Sequence, residues 1–292
     1  MRKTVVLLVV MALLACVVPA AAQTSDSHNS MTGPPKVLQI TREEVKPGKG
    51  PAHQKHEAAW TQAFVNAKYP NHLLTISSVT GPPEDWFLSG YPSFVAWEQD
   101  GKAMQQNASY RTINETYQPK ESDFVNESRT LVARYRPEYS YKPEINLGEY
   151  RYFSVNIIRL KLGENADEFY KTLNAAREKA NFDGHVAVYQ VTSGMPSGTL
   201  ITFTALKDMS YMDRPPNETL DAALKEANFS QLVGKTLMNS EGRIFAFNPR
   251  LSFVDSQVAA ADPSFWNPKP VMAKGTPSGK TKPAAQKDEP KK

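Results

Sequence analysis

The chain has 292 residues, of which 40% are hydrophobic, and its 34 lysines and arginines nearly balance its 30 aspartates and glutamates. This length predicts one large domain or two domains of ordinary size. Seven lysines lie within residues 268–292, so the body of the chain between its two ends is slightly acidic. A slightly acidic body argues against nucleic acid as a partner.

Familiar catalytic motifs are absent from the sequence. No G-x-G-x-x-G, P-loop or G-x-S-x-G pattern occurs. These patterns mark nucleotide binding and serine hydrolysis. We therefore predict neither of those chemistries, and on the same grounds we predict no bound cofactor.

The first 22 residues predict a secretory signal peptide. Two basic residues precede an apolar run over residues 5–18, and alanines at 20–22 form a cleavage site of the A-x-A kind. The run is shorter than the roughly 20 residues that a membrane span needs. We therefore expect export to the periplasm or the medium, with no transmembrane segment in the exported chain. The one cysteine, Cys16, leaves with the signal, which excludes a disulfide; the alternative is a lipoprotein anchored at Cys16.

A first set of elements is predicted over residues 36–135, after a polar, flexible N-terminus at 23–35. Gly50 and Pro51 predict a helix start because proline suits the first turn, and His72 begins the strand that follows. The predicted order is a strand at 37–42, a helix from 50, strands at 72–77 and 91–97, helical segments at 99–109 and 122–127, and a strand at 129–136.

A second set is predicted over residues 151–255, after a linker at 136–150 that is rich in tyrosine and proline. Asn165 can cap its first helix, with Glu168 three residues on, as in a capping box. The predicted order is a strand at 152–159, a helix from 165, strands at 185–190 and 199–206, a helix at 218–235 and a strand at 242–248. The shared order indicates an internal repeat.

Each set has the order β-α-β-β-α-β, which is the ferredoxin-like arrangement. Such a unit covers one sheet face with its helices, and the other apolar face must be buried elsewhere. We therefore predict an α+β fold in which tandem ferredoxin-like repeats pack sheet to sheet as an α+β barrel. Residues 256–292 are rich in lysine and proline and predict a disordered tail, whose lysines could contact an anionic surface.

The repeated order, together with the run Ser-Phe-Val-Ala-Trp-Glu at residues 93–98, resembles the dimeric α/β-barrel superfamily. That superfamily includes NIPSNAP-like and antibiotic-biosynthesis-monooxygenase-like proteins. The resemblance covers residues 37–255 and implies a pocket between a sheet and its helices. Its members include cofactor-independent oxygenases, haem-binding enzymes and isomerases, so the resemblance implies no single activity.

Two histidines are the candidate catalytic residues. His72 and His185 begin matching strands of the two sets, and an imidazole can act as a base or a ligand near neutral pH. The alternative is that each caps the preceding turn. Aromatic and basic strand residues are candidates for lining a ligand pocket, with burial in the core as the alternative. They are Trp86, Trp97, Tyr152, Arg159 and Tyr189.

A metal site is considered at the start of the first helix. His53, His56 and Glu57 have the spacing that places side chains on one helix face, and histidine at such spacing can bind a metal. The zinc-protease motif H-E-x-x-H is excluded because Trp60 stands where the second histidine is required. We prefer the interpretation of an exposed polar helix start with no metal.

Three functions remain open at this point. The first is a non-catalytic module that binds a small apolar ligand or a protein. The second is a cofactor-independent oxygenase or isomerase that uses His72 or His185. The third is a haem or metal binder.

Overall fold

The computed structural model describes residues 33–268; the predicted signal peptide, Cys16 and residues 269–292 of the predicted tail lie outside the described residues. The described strands are β1 Val37–Val45, β2 Leu74–Ser78, β3 Glu84–Tyr91, β4 Val125–Tyr135, β5 Tyr152–Leu160, β6 His185–Ser193, β7 Thr199–Leu206 and β8 Leu237–Phe247. They close an antiparallel barrel in the order β1-β3-β2-β8-β5-β7-β6-β4.

The helices follow the strands in the same order in both halves of the chain. They are α1 Gly50–Asn66, α2 Phe94–Gln106, α3 Ala108–Glu121, α4 Asp167–Lys179, α5 Glu218–Glu226, α6 Phe229–Thr236, α7 Ser256–Ala261 and α8 Pro263–Trp266. Both halves therefore run strand, helix, strand, strand, two helices, strand. No helix among residues 33–268 is long and apolar enough to cross a bilayer.

Side chains that point into the barrel form the main hydrophobic core. Alternation along β1 places Leu38 and Ile40 inside the barrel and turns Gln39 between them outward. Trp86 and Phe245 are fully buried and pack with their ring centroids 4.7 Å apart. Burial of each such side chain contributes roughly 1.5–3 kcal/mol. The prediction of an α+β barrel is confirmed, with the apolar sheet faces turned toward each other.

One end of the barrel is closed by a group of charges. Glu84 is buried and forms ion pairs with Arg42 at 2.7 Å and with Arg243 at 2.5 Å. The Arg42 guanidinium lies 4.6 Å from the ring centroid of Trp86. Because Glu84 is held by two arginines, its charge is compensated despite the burial.

Several predicted boundaries in the first half are wrong. The predicted strand at 91–97 ends at Tyr91, because the Ser93 hydroxyl accepts from the Ala96 N–H at 3.1 Å and caps α2. The helical segment predicted at 122–127 is instead a turn at residues 122–124 followed by the first residues of β4. The second strand begins at Leu74 rather than at His72.

Residues 256–266 form helices, although the sequence predicted disorder from residue 256. Val258 and Trp266 are buried against the barrel core, and the Trp266 indole N–H donates to the Gly148 carbonyl at 3.1 Å. A β-carbon on Gly148 would lie only 2.2 Å from the Val258 carbonyl oxygen. The predicted linker at 136–150 is also part of the core, because Tyr139, Tyr141 and Tyr150 are buried.

Candidate functional site

A large cavity of about 810 Å³ lies between the outer face of the first-half strands and the helices that cover them. Outward side chains of β1, β3 and β4 form its floor, and α1, α2 and α3 cover it. Its aromatic walls are Trp60, Phe64, Phe87, Tyr91 and Trp97. Its polar floor includes Gln39, Thr41, Ser89 and Thr130.

Hydrogen bonds fix the cavity walls that α2 contributes. The Trp97 indole N–H donates to the Gln39 side-chain oxygen at 2.6 Å. The hydroxyls of Tyr69 and Tyr91 both donate to Asp100, at 2.6 Å and 2.8 Å. Burial and the Asp100 charge raise the pKa of both tyrosines, so both remain protonated donors.

A buried charged cluster forms the closed end of this cavity. His53 is fully buried, and its Nε2 lies 2.8 Å from the Glu43 carboxylate. Its Nδ1 lies 3.1 Å from the Asp85 carboxylate, an ion-pair distance whose angle does not meet hydrogen-bond geometry. One potential ligand atom on each of Glu43, His53 and Glu57 lies within 4.8 Å of those on the other two.

The local sequence places these side chains together. Gly48, with a φ of 76°, permits the turn after β1, and Pro51 lies in the first turn of α1. His53 and Glu57 are one helical turn apart and are the two buried residues of α1. Glu43 points outward from β1 toward them. The preferred prediction of an exposed helix start is therefore wrong.

The cluster holds protons more tightly than its residue types usually do. Burial alone would lower the pKa of His53, but contacts with Asp85 and Glu43 outweigh it and raise that pKa to about 10. Burial and the neighbouring Glu43 charge raise the pKa of Glu57 to about 8. Burial and Glu43 likewise raise the pKa of Glu121 to about 7. At neutral pH this end of the cavity therefore holds an imidazolium at His53 and a carboxyl group at Glu57 that keeps its proton.

His56 lies beside the cluster in an aromatic setting. Its ring centroid is 5.5 Å from that of Tyr117 and 5.1 Å from that of Phe124. Burial lowers the pKa of His56, with a smaller contribution from the His53 charge. His56 is therefore the neutral histidine of the pair.

A second, smaller cavity of about 100 Å³ lies inside the barrel, at the end opposite the ion pairs of Glu84. Its lining is mainly apolar and includes Leu38, Phe153, Tyr189 and Phe203. His185 lies at this mouth, and its Nδ1 donates to the Lys142 carbonyl at 2.7 Å.

The predicted site residues do not form one site. Trp97 lines the large cavity, whereas Trp86 is buried inside the barrel. His72 packs on Phe253, with ring centroids 5.1 Å apart, in an open groove lined in part by α7. Tyr152 and Arg159, both on β5, line neither cavity.

Sequence reasoning missed most of the cluster's carboxylates. Glu43, Asp85 and Glu121 come from three separate segments that meet only in the folded chain. The one available signal was Glu43 itself, which occupies an outward position on a strand whose outward face is covered by helices. Nothing in the sequence pattern indicated that Asp100 or Tyr69 belongs to the site.

No family model and no curated protein matches the chain. The fold is similar to that of a provisionally named monooxygenase from Fusobacterium nucleatum subsp. nucleatum ATCC 25586. The identity is 12% and the TM-score 0.51, over 72% of this chain and 91% of that one. An anthrone oxidase-like protein has 14% identity and a TM-score of 0.48, over 73% and 92% of the two chains.

A third solved structure is that of a mutant chlorite dismutase from Candidatus Nitrospira defluvii. It has 10% identity and a TM-score of 0.44, over 74% of this chain and 92% of that one. At such identities a likeness shows the fold alone. The fold and the cavity define this protein as a ferredoxin-like α+β barrel with a buried histidine–carboxylate cluster.

Proposed function

We propose that this protein binds a small, flat organic molecule in the cavity between its first-half sheet and helices α1–α3. The observation that carries this proposal is the cavity itself, whose 810 Å³ and aromatic walls with a few polar groups suit a small-molecule site. Trp60 adds a point of recognition. Its indole N–H is buried and has no hydrogen-bond partner among residues 33–268, so a bound acceptor would satisfy it.

The two halves differ at corresponding positions, and we interpret them as tandem ferredoxin-like repeats. The seventh residue is Glu43 in β1 and Ile158 in β5, and the second residue is Asp85 in β3 and Leu200 in β7. Ile158 and Leu200 belong to the apolar core of the second half. The second half thus has an ordinary core where the first has buried charges.

The helices show the same difference. After α1 and α4 the chain adopts a left-handed conformation at Lys68 and at Asn181. If the helices are aligned at these two residues, His53 corresponds to Ala166 and Glu57 corresponds to Tyr170. Ala166 and Tyr170 are both buried in the apolar core of the second half. Since buried charges cost stability unless they are compensated, stability does not explain the cluster. This supports a functional role for the first-half cavity.

Catalysis is the second candidate function, and the position of the carboxyl groups favours it. Glu43, Glu57 and Glu121 line the cavity, so a molecule bound there would contact them. A carboxyl group within hydrogen-bond reach of a substrate can act as a general acid when it is protonated and as a general base when it is ionised. An isomerase or oxygenase would use these groups rather than His72 or His185, neither of which lines this cavity.

Haem is less well supported as the occupant. No histidine or cysteine is among the residues that line the large cavity, and these are common protein ligands of haem iron. His53 is held between two carboxylates. The residues present therefore do not fit a histidine-ligated haem. Export to the periplasm or medium remains our proposal for the location, on the strength of the N-terminal sequence.

A binding experiment tests the proposed site. The fluorescent probe 1-anilinonaphthalene-8-sulfonate and a set of phenols and aromatic amides are titrated into the purified chain, and the melting temperature is followed. A ligand that binds only the folded state must raise that temperature. Ser89→Phe fills the cavity floor, and Thr204→Phe, at the corresponding position of β7, is the matched control.

We expect binding by the wild type and by the Thr204→Phe variant, with loss of binding in Ser89→Phe. Circular dichroism establishes that both variants are folded. Equal binding by all three proteins, or no binding by any, would show that this cavity is not the ligand site.

A further inference from the structure

We propose that Glu43, His53 and Glu57 bind a divalent metal ion at the closed end of the large cavity. The site deepens the proposed function, since an ion there would face a molecule bound in the same cavity. The three potential ligand atoms lie within 4.8 Å of one another. In a tetrahedral site, zinc–ligand bonds of ~2.0–2.2 Å place ligand atoms ~3.3–3.6 Å apart, so closure on an ion requires side-chain movements of about 1 Å.

A buried carboxyl oxygen of Glu57 supports a cation at this position. Glu57 is 4% exposed, and its Oε1 has no hydrogen-bond partner among residues 33–268. The Nε2 of the neutral His56 lies 3.8 Å from this oxygen, which is too far for a hydrogen bond. A buried carboxylate oxygen without a partner costs stability. A bound cation would satisfy it.

Asp85 occupies the place of an orienting residue. Metal-binding histidines usually direct their second ring nitrogen toward a carboxylate or carbonyl. The two ring nitrogens of His53 face different partners, as this arrangement requires. Nε2 faces Glu43 and the potential ligands, while Nδ1 faces Asp85 at 3.1 Å. Asp85 is thus a positioning residue rather than a ligand.

The local charge also favours a cation. Glu43, Glu57 and Asp85 are all buried. Among the described residues, their ion pairs are to histidine alone, with no lysine or arginine. Arg42 and Arg243 are occupied by Glu84 at the barrel end. A divalent ion would displace the protons of His53 and Glu57, because metal ligands bind in their deprotonated form, and would itself supply positive charge to the carboxylates around it.

The donor set narrows the choice of ion. One imidazole nitrogen with carboxylate oxygens suits zinc, manganese or iron(II), whereas the soft ion copper(I) prefers sulfur ligands. Because Glu43 and Glu57 also line the cavity, the remaining coordination positions would face its interior. Glu121, on α3, lines the cavity beside them and could supply a fourth ligand.

Metal titration of the untagged exported chain tests this site. After dialysis against a chelator, zinc and manganese(II) are titrated by calorimetry without any organic ligand, and cobalt(II) absorption reports the ligand type. We expect one ion per chain. Glu57→Gln and His53→Gln should weaken binding at least about tenfold, and Asp85→Asn about 10- to 100-fold.

The controls are Glu98→Gln, an exposed residue of α2, and His185→Gln at the barrel mouth. Both should bind zinc as the wild type does. The metal site is overturned if the wild type binds neither ion. It is also overturned if Glu57→Gln and His53→Gln bind zinc as tightly as the wild type does. Ser89→Phe separates the two proposals, because it blocks the organic probe and should leave zinc binding intact.

Discussion

Glu43 and Asp85 lie directly opposite each other on the neighbouring strands β1 and β3. Like charges in that relation normally destabilise a sheet. Here the imidazole of His53 lies between them, 2.8 Å from the first carboxylate and 3.1 Å from the second. The pairing of these two strands at this point therefore depends on a side chain that α1 delivers.

Replacing His53 tests that dependence. His53→Leu leaves two buried carboxylates facing each other without a cation. We expect the free energy of unfolding of the chelator-treated protein to fall by about 3–5 kcal/mol, measured by urea denaturation. His185→Leu, at the partly exposed barrel mouth, removes only the hydrogen bond to the Lys142 carbonyl and should change it by no more than about 1.5 kcal/mol. If His53→Leu unfolded at the same urea concentration as the wild type, the pairing of the two strands would not depend on His53.

Glu57→Gln should act in the opposite direction. The amide keeps the shape of the carboxyl group and removes a buried acid whose ionisation lacks a compensating partner. We expect the metal-free variant to be more stable than the wild type by about 0.5–2 kcal/mol, while it loses metal affinity. Thermal melts in chelator and in excess zinc measure both effects. A variant less stable than the wild type in chelator would contradict this expectation.

The metal-free protein should lose stability as the pH rises. His53 has its pKa raised from 6.5 to about 10, so its contribution is complete below pH 6.5 and is lost toward pH 10. Glu57, with its pKa raised from 4.5 to about 8, also favours the folded state more at low pH. Urea midpoints from pH 6.5 to 10 should therefore fall steadily. Glu57→Gln should make the fall shallower below pH 8, and a flat profile for the wild type would count against the raised pKa values.

The segment after the barrel should contribute to stability. Trp266 is buried and packs on Phe247, with ring centroids 6.1 Å apart. We expect Trp266→Ala to lower the free energy of unfolding by about 3–5 kcal/mol. Met238→Ala, at a side chain that is half exposed, should change it by about 0.5 kcal/mol or less. Equal denaturation midpoints for the two variants would show that α8 docks too weakly to matter.

The sequence predicted the barrel but not its charged site. Strand alternation and turn residues are local, so β7 was predicted with its observed limits at 199 and 206. Ser93 shows how local signals compete. It begins a run of aromatic and apolar residues that suggests a strand, yet its hydroxyl caps a helix.

The site itself depends on contacts between distant segments. Glu43 and His53 are ten residues apart on successive elements, Asp85 lies well beyond them, and the three meet only because β1 pairs with β3 and α1 packs across both. A histidine–glutamate pair at a helix start is usually exposed, so composition favoured the wrong interpretation of His53 and Glu57. Only the fold could show that this turn of helix faces the sheet.

Closure of the barrel also limits how the folded protein can meet other chains. Each of the eight strands between residues 33 and 268 has a hydrogen-bonded neighbour on both sides. An open sheet edge is a template for strand addition and for β-aggregation. Among residues 33–268, β4 pairs with β6 only over residues 132–135 and β8 pairs with β2 only over residues 245–247, so such an edge is confined to the remaining parts of these two strands. Backbone pairing with another protein is therefore restricted to these two stretches, and recognition elsewhere on the barrel must use side-chain surfaces.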